Sequence, residues 1–134
     1  MKDLYHDAAN ISQVVKPIAI TAGANGTGTD ILGYTKVLMV ATTGAATALH
    51  GANNYATVSF LESSNNVVFS AISDNDLIGG NNSENLDANA DFNSTVIRGY
   101  IGNARYLTIT FGNVGAVAYT GAAYVIKGFP THNA

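Results

Sequence analysis

Six acidic side chains, Glu62, Asp74, Asp76, Glu84, Asp87 and Asp91, fall in a stretch that contains no lysine or arginine. Converging carboxylates can move protons or hold a hard cation, so chemistry is sought there first. Asp87-x-Asn89-x-Asp91 has the alternating oxygen ligands of a calcium loop. Phe92, however, stands where that loop turns on glycine, and Arg98 where it needs a bidentate glutamate, which excludes an EF-hand. What is left is an irregular calcium site or a hydrophilic loop in which Asp and Asn serve turn geometry. Two carboxylates for glycoside hydrolysis could be chosen from the same stretch, but nothing in their spacing selects one pair over another.

The other reactive residue types are dispersed. His6, His50 and His132 have no close partner that would make a metal-binding pair. Residues 23–33 are glycine-rich but lack the Lys-Ser/Thr ending and the following helix of a phosphate loop. No serine lies in a Gly-x-Ser-x-Gly elbow, and the chain has no cysteine. No enzyme, metal or cofactor is therefore expected. The seven tyrosines are better placed, because Tyr offers apolar area with a polar tip and suits an interface. Tyr100 and Tyr106 fall on outward parities around the Gly102 turn, so they are candidate contacts.

The elements that must carry these residues are strands. The 134 residues fit one domain, and 47% of them are apolar, enough for one core. Alternating segments are expected at 13–21, 55–61, 67–72, 95–101, 105–111 and 117–127, with turn residues between them. Pro17 marks the first as an edge or bulged strand. The continuous apolar run at 36–42 reads as a strand covered on both faces, and residues 22–33 as loop. Residues 63–66 read as a tight hairpin connection. A helical turn capped by Ser73 is expected near 74–78. In 105–111, Leu107, Ile109 and Phe111 should face in, and Tyr106, Thr108 and Thr110 out. The fold class that follows is all-β, a single antiparallel β-sandwich, jelly-roll-like, of about seven or eight strands. Residues 1–12 are expected to form an N-terminal arm before a sandwich domain at 13–134.

Composition narrows the partners. Only 11% of residues are charged, against about 25% in ordinary soluble proteins. So neutral a surface gives little self-repulsion and favours assembly. The six basic residues are scattered and form no stripe for phosphates, so nucleic acid is not expected. The longest apolar run, 37–41, is far too short for a membrane span, and the first residues do not read as a signal peptide.

Three stretches carry a resemblance: Met1-Lys2-Asp3-Leu4-Tyr5 at the start, Arg98-Gly99-Tyr100-Ile101-Gly102-Asn103-Ala104-Arg105-Tyr106-Leu107, and Val125-Ile126-Lys127-Gly128-Phe129-Pro130 near the end. Together they resemble a group of small tailed-bacteriophage virion structural proteins of the capsid decoration, or cement, type. Where many relatives have His after the tail glycine, this chain has Phe129, with His displaced to His132. The resemblance implies a non-enzymatic head protein in the virion, assembled in the host cytoplasm, that binds across subunits of the major capsid protein. It also implies a homo-oligomer, with a trimer favoured. Leu4 and Tyr5 would anchor an arm that orders on binding, and Tyr100, Asn103, Arg105 and Tyr106 would form a second contact. The alternatives are a tail, connector or fibre-associated virion protein, and a β-sandwich that binds carbohydrate or a host surface.

Overall fold

The structure, a computed structural model, describes residues 9–46 and 53–130. Leu4, Tyr5, His6, His50 and His132 lie outside the described residues. Seven strands of four or more residues form the frame: β1 (Ala9–Ile20), β4 (Tyr34–Ala46), β5 (Tyr55–Ser63), β8 (Ser83–Leu86), β9 (Thr95–Tyr100), β10 (Tyr106–Val114) and β11 (Tyr119–Pro130). Four two-residue strands complete it: β2 (Ala24–Asn25), β3 (Thr29–Asp30), β6 (Ser70–Ala71) and β7 (Leu77–Ile78). All pairings are antiparallel. Sheet A has the order β1-β11-β4-β9-β7. In sheet B, β5 and β10 pair centrally, with β2 and β3 on the far edge of β10 and β6 and β8 on the far edge of β5. The all-β sandwich expected from the sequence is the observed fold.

Period-two alternation builds the core between the sheets. Val37, Met39 and Ala41 of β4 and Tyr119, Ala123 and Val125 of β11 meet Ala56, Val58 and Phe60 of β5 and Leu107, Ile109 and Phe111 of β10. Gly121 is packed tightly against Ile20 and Phe111. A methyl group on it would sit 2.9 Å from Ile20 Cδ1 and 3.1 Å from Phe111 Cζ, so no other residue fits without displacing the core.

Five expectations are corrected. The first strand starts at Ala9 rather than residue 13, so Ala9–Ser12, assigned to the arm, pair with β11 across Gly128–Val125. The strand at 36–42 is covered on one face only, because among the described residues no layer lies outside sheet A and Leu38 faces outward. The partner strand at 67–72 shrinks to Ser70–Ala71. Its cause is local: Ser63 Oγ accepts the N–H groups of Asn65 and Asn66, and Asn65 Oδ1 accepts those of Val67 and Val68. Those amides are thus taken from any ladder, and both valines end up exposed. Residues 22–33, expected as loop, instead provide β2 and β3, and Thr108 is buried because its hydroxyl donates to the Thr27 carbonyl, 3.0 Å away. The expected turn after Ser73 is a 3-10 turn, Asp74–Asp76, whose Asn75 N–H is accepted by the Ser73 hydroxyl.

Candidate functional site

Sheet register assembles a surface that no single strand displays. Ile11 is paired with Ile126, Ile126 with Leu38, Leu38 with Gly99 and Gly99 with Ile78, one row across all five strands of sheet A. The next row runs Gln13, Tyr124, Val40, Ile97. Paired residues share a face, so these two rows form the outer face of the sheet. Leu38 is 37% exposed, Ile97 46%, Ile78 60% and Ile11 64%. Neither row contains a charged side chain. Five strands about 4.8 Å apart and two outward rows about 6.8 Å apart give roughly 300 Å² of projected area. Lone exposed aliphatics are ordinary; a contiguous uncharged row of this extent falls in the range of the largest patch on a typical monomer, which is often functional.

The second candidate surface is the end of the sandwich where β9 turns into β10. Of the residues expected there, Asn103 is exposed, and Arg105 and Tyr106 lie together, with the guanidinium 5.2 Å from the Tyr106 ring centroid. Arg105 is not free to seek a partner's charge. Its Nε and Nη2 grip Asp30, with Nη2 2.8 Å from Oδ2. The Arg105 hydrogen bonds hold the Asp30 carboxyl below its usual pKa, against an opposing effect of burial. Lys127, buried, completes the cluster from below: its Nζ donates to the Asp30 carbonyl and lies over the Tyr34 ring. Leu32, whose N–H is accepted by Asp30 Oδ1, is exposed beside this ion pair, and the turns at Val67, Val68 and Ile101 are exposed as well.

Tyr100 is corrected outright. It is 6% exposed and belongs to the core. The inward residues of β9 are Val96, Arg98 and Tyr100, while Thr95, Ile97 and Gly99 face out, the reverse of what the apolar pattern suggests. The inversion is tolerable because both polar ends are satisfied. Tyr100 Oη donates to Glu62 Oε2 at 2.6 Å and accepts the Ala104 N–H at 2.8 Å. Burial, then the Glu62 carboxylate, push the phenol pKa well above its ordinary value. Tyr100 therefore shapes the 101–104 turn instead of contacting a partner. Arg98 donates to Glu84 Oε2, to the Asn81 carbonyl and to the Ile97 carbonyl, and stacks over Phe60.

The acidic stretch is likewise structural. Glu62 holds Tyr100, Glu84 holds Arg98, Asp74 accepts the Asn82 N–H, and Asp91 accepts the N–H groups of Asp87 and Ala88. Among the described residues no three His, Asp or Glu side chains converge on one point.

The sequence matches no family model and no curated protein. The fold does have relatives among solved structures. The PBSX exported protein XepA is similar over 93% of this chain at 16% identity, with a TM-score of 0.58. This chain covers 39% of XepA, so it spans only about two-fifths of that protein's length. The SPBc2 prophage-derived protein YomS is similar over 89% of this chain and 93% of its own, at 15% identity and a TM-score of 0.51. Likeness at these identities is likeness of fold.

Sequence reasoning missed the outer face of sheet A. Its signal was present as parity: Leu38 and Val40, Tyr124 and Ile126, and Ile97 each alternate with core residues. The continuous apolar run at 37–41 hid that alternation, and the register joining the strands is a tertiary fact.

Proposed function

We propose that this chain is a non-enzymatic structural component of a phage particle that binds neighbouring protein subunits through the outer face of sheet A. The observation that carries the reading is the uncharged row Ile11–Ile126–Leu38–Gly99–Ile78, left uncovered across the full width of the sheet. A partner can cover this row without desolvating an ion, which removes the main cost of burying a polar surface. The fold relatives support a phage setting, since one is described as prophage-derived and the other as an exported protein. The finer reading is head decoration across major capsid protein subunits, which rests on the residue motifs at 98–107 and 125–130. A patch of roughly 300 Å² is well below the about 800 Å² per partner of a stable isolated complex. Repetition over a lattice, with the adjoining Leu32 and Ile101 turns joining the contact, raises the effective affinity.

The test is co-sedimentation of the purified protein with particles stripped of it, followed by imaging of where it binds. The wild-type chain is expected on the head. Leu38→Glu is expected to weaken binding by 100-fold or more, because a carboxylate buried without a partner costs several kcal/mol, while its melting temperature stays close to wild type. Unaltered binding by Leu38→Glu would remove sheet A from the interface. Density confined to the tail would transfer the role to a tail or connector position.

A further inference from the structure

The two long sides of the sandwich differ. One is stitched shut, where the Thr27 N–H donates to the Val14 carbonyl at 2.9 Å and joins sheet B to the edge of sheet A. The other is open. There a groove of about 580 Å³ separates β9 from β8, lined by Gly79, Gly80, Leu86, Ser94, Val96 and Arg98 among others.

The ladder shows what faces this groove. The Thr43 N–H donates to the Ser94 carbonyl. In an antiparallel pair alternate residues address the same neighbour, so Ser94, Val96, Arg98 and Tyr100 bond towards β4. Thr95, Ile97 and Gly99 therefore turn their N–H and C=O groups the other way. Gly99 meets Ile78 of β7, and the Ile101 N–H meets the Asp76 carbonyl. Beyond Ile78 the neighbour is lost, because Gly79 and Gly80 take φ values of 104° and 150° and carry the chain out of the ladder. Arg98 Nη1 occupies the Ile97 carbonyl. Among the described residues, the N–H groups of Thr95 and Ile97 and the Thr95 carbonyl are left facing the groove. On the opposite wall the Phe60 N–H donates to the Asn82 carbonyl, so Glu84 and Leu86 bond towards β5 and Ser83 and Asn85 turn to the same opening.

We infer that this opening accepts an extended segment of a partner chain, which pairs with the free edge of β9 in line with β7. The inference rests on the reading above that the chain binds neighbouring protein subunits, and it names a second and different contact. The occupant is a strand because the groove offers unpaired backbone groups at strand spacing, and only another extended backbone meets N–H and C=O groups in that pattern. From Ser94 to Arg98 the edge is about 13 Å long, which suits four residues. Side chains of the segment that lie opposite Val96 point inward against Val96 and Leu86, so they are small and apolar. Those opposite Thr95 and Ile97 extend the outer row of sheet A. Proline is excluded wherever the segment must donate to the Thr95 carbonyl.

Residue-resolved amide exchange, on the free protein and on protein bound to stripped particles, tests this directly. In the free protein the Thr95 and Ile97 amides are expected to exchange fast and those of Val96 and Arg98 slowly. On binding, Thr95 and Ile97 should slow by 10-fold or more. Protection of both in the free protein, or of neither in the complex, overturns the inference. Thr95→Pro removes an N–H that faces away from β4, so the fold should persist by circular dichroism while particle binding falls at least 10-fold; binding as tight as wild type counts against the edge. If Leu38→Glu loses binding while Thr95→Pro keeps it, the sheet-face reading stands and the edge falls. If the wild-type chain binds no particle, both fall.

Discussion

Replacing Tyr100 by Phe keeps the buried ring and removes only the hydroxyl, which joins the two sheets and fixes the 101–104 turn at once. The bond to Glu62 is short and charge-assisted, a type that contributes about 1.5–3 kcal/mol, and the bond from the Ala104 N–H adds about 1 kcal/mol. Glu62 is only half-buried, so water recovers part of its loss and the lower end applies. The expected destabilisation is about 2–3 kcal/mol. For a domain of this size that corresponds to a fall of roughly 6–12 °C in melting temperature. Urea unfolding followed by circular dichroism should show a lower midpoint at unchanged slope, since the surface exposed on unfolding is nearly the same. Amide exchange should rise at Ala104 and its neighbours before it rises in β10. A loss below about 0.5 kcal/mol would mean that water replaces both bonds, and the account of Tyr100 as the anchor of this turn would be wrong.

Gly121→Ala should cost about 1–3 kcal/mol by overpacking, measured by the same urea titration, because the added methyl forces the buried Ile20 and Phe111 side chains to shift. The phenol pKa values of Tyr100 and Tyr119 are both raised, chiefly by burial, so their neutral forms stabilise the fold below the ordinary tyrosine pKa of about 10. That contribution should fade as pH climbs towards the folded-state values, and in a tyrosinate absorbance titration these two groups should ionise only with unfolding. Asp30 behaves oppositely: its pKa is lowered, so the Arg105 pair contributes above the unfolded carboxylate pKa and is lost as pH falls through the folded value. Thermal melts of Asp30→Asn and wild type should therefore differ above pH 5 and converge in strong acid.

The sequence by itself determined the layer architecture. Alternation in β5 and β10, glycine and asparagine turns at regular spacing, and the lack of any helical period leave few solutions other than two packed sheets. It also determined that β1 is an irregular edge, since Pro17 cannot donate to a ladder, and the strand does show register shifts between Gln13 and Ile18. The Ser73 turn was legible for the same reason, a side chain acting on its own neighbours.

Only the tertiary structure decided what faces where. Tyr100 reads as an outward residue on strand parity, yet it is buried beside Arg98, and Glu62 and Glu84, 38 and 14 residues away in sequence, satisfy the two. Two carboxylates of the acidic stretch, Glu62 and Glu84, are what those two residues require. The apolar face of sheet A and the open edge of β9 depend on which strands lie side by side and in what register. Those pairings are set by long-range packing, and a reading of local alternation contains no term for them.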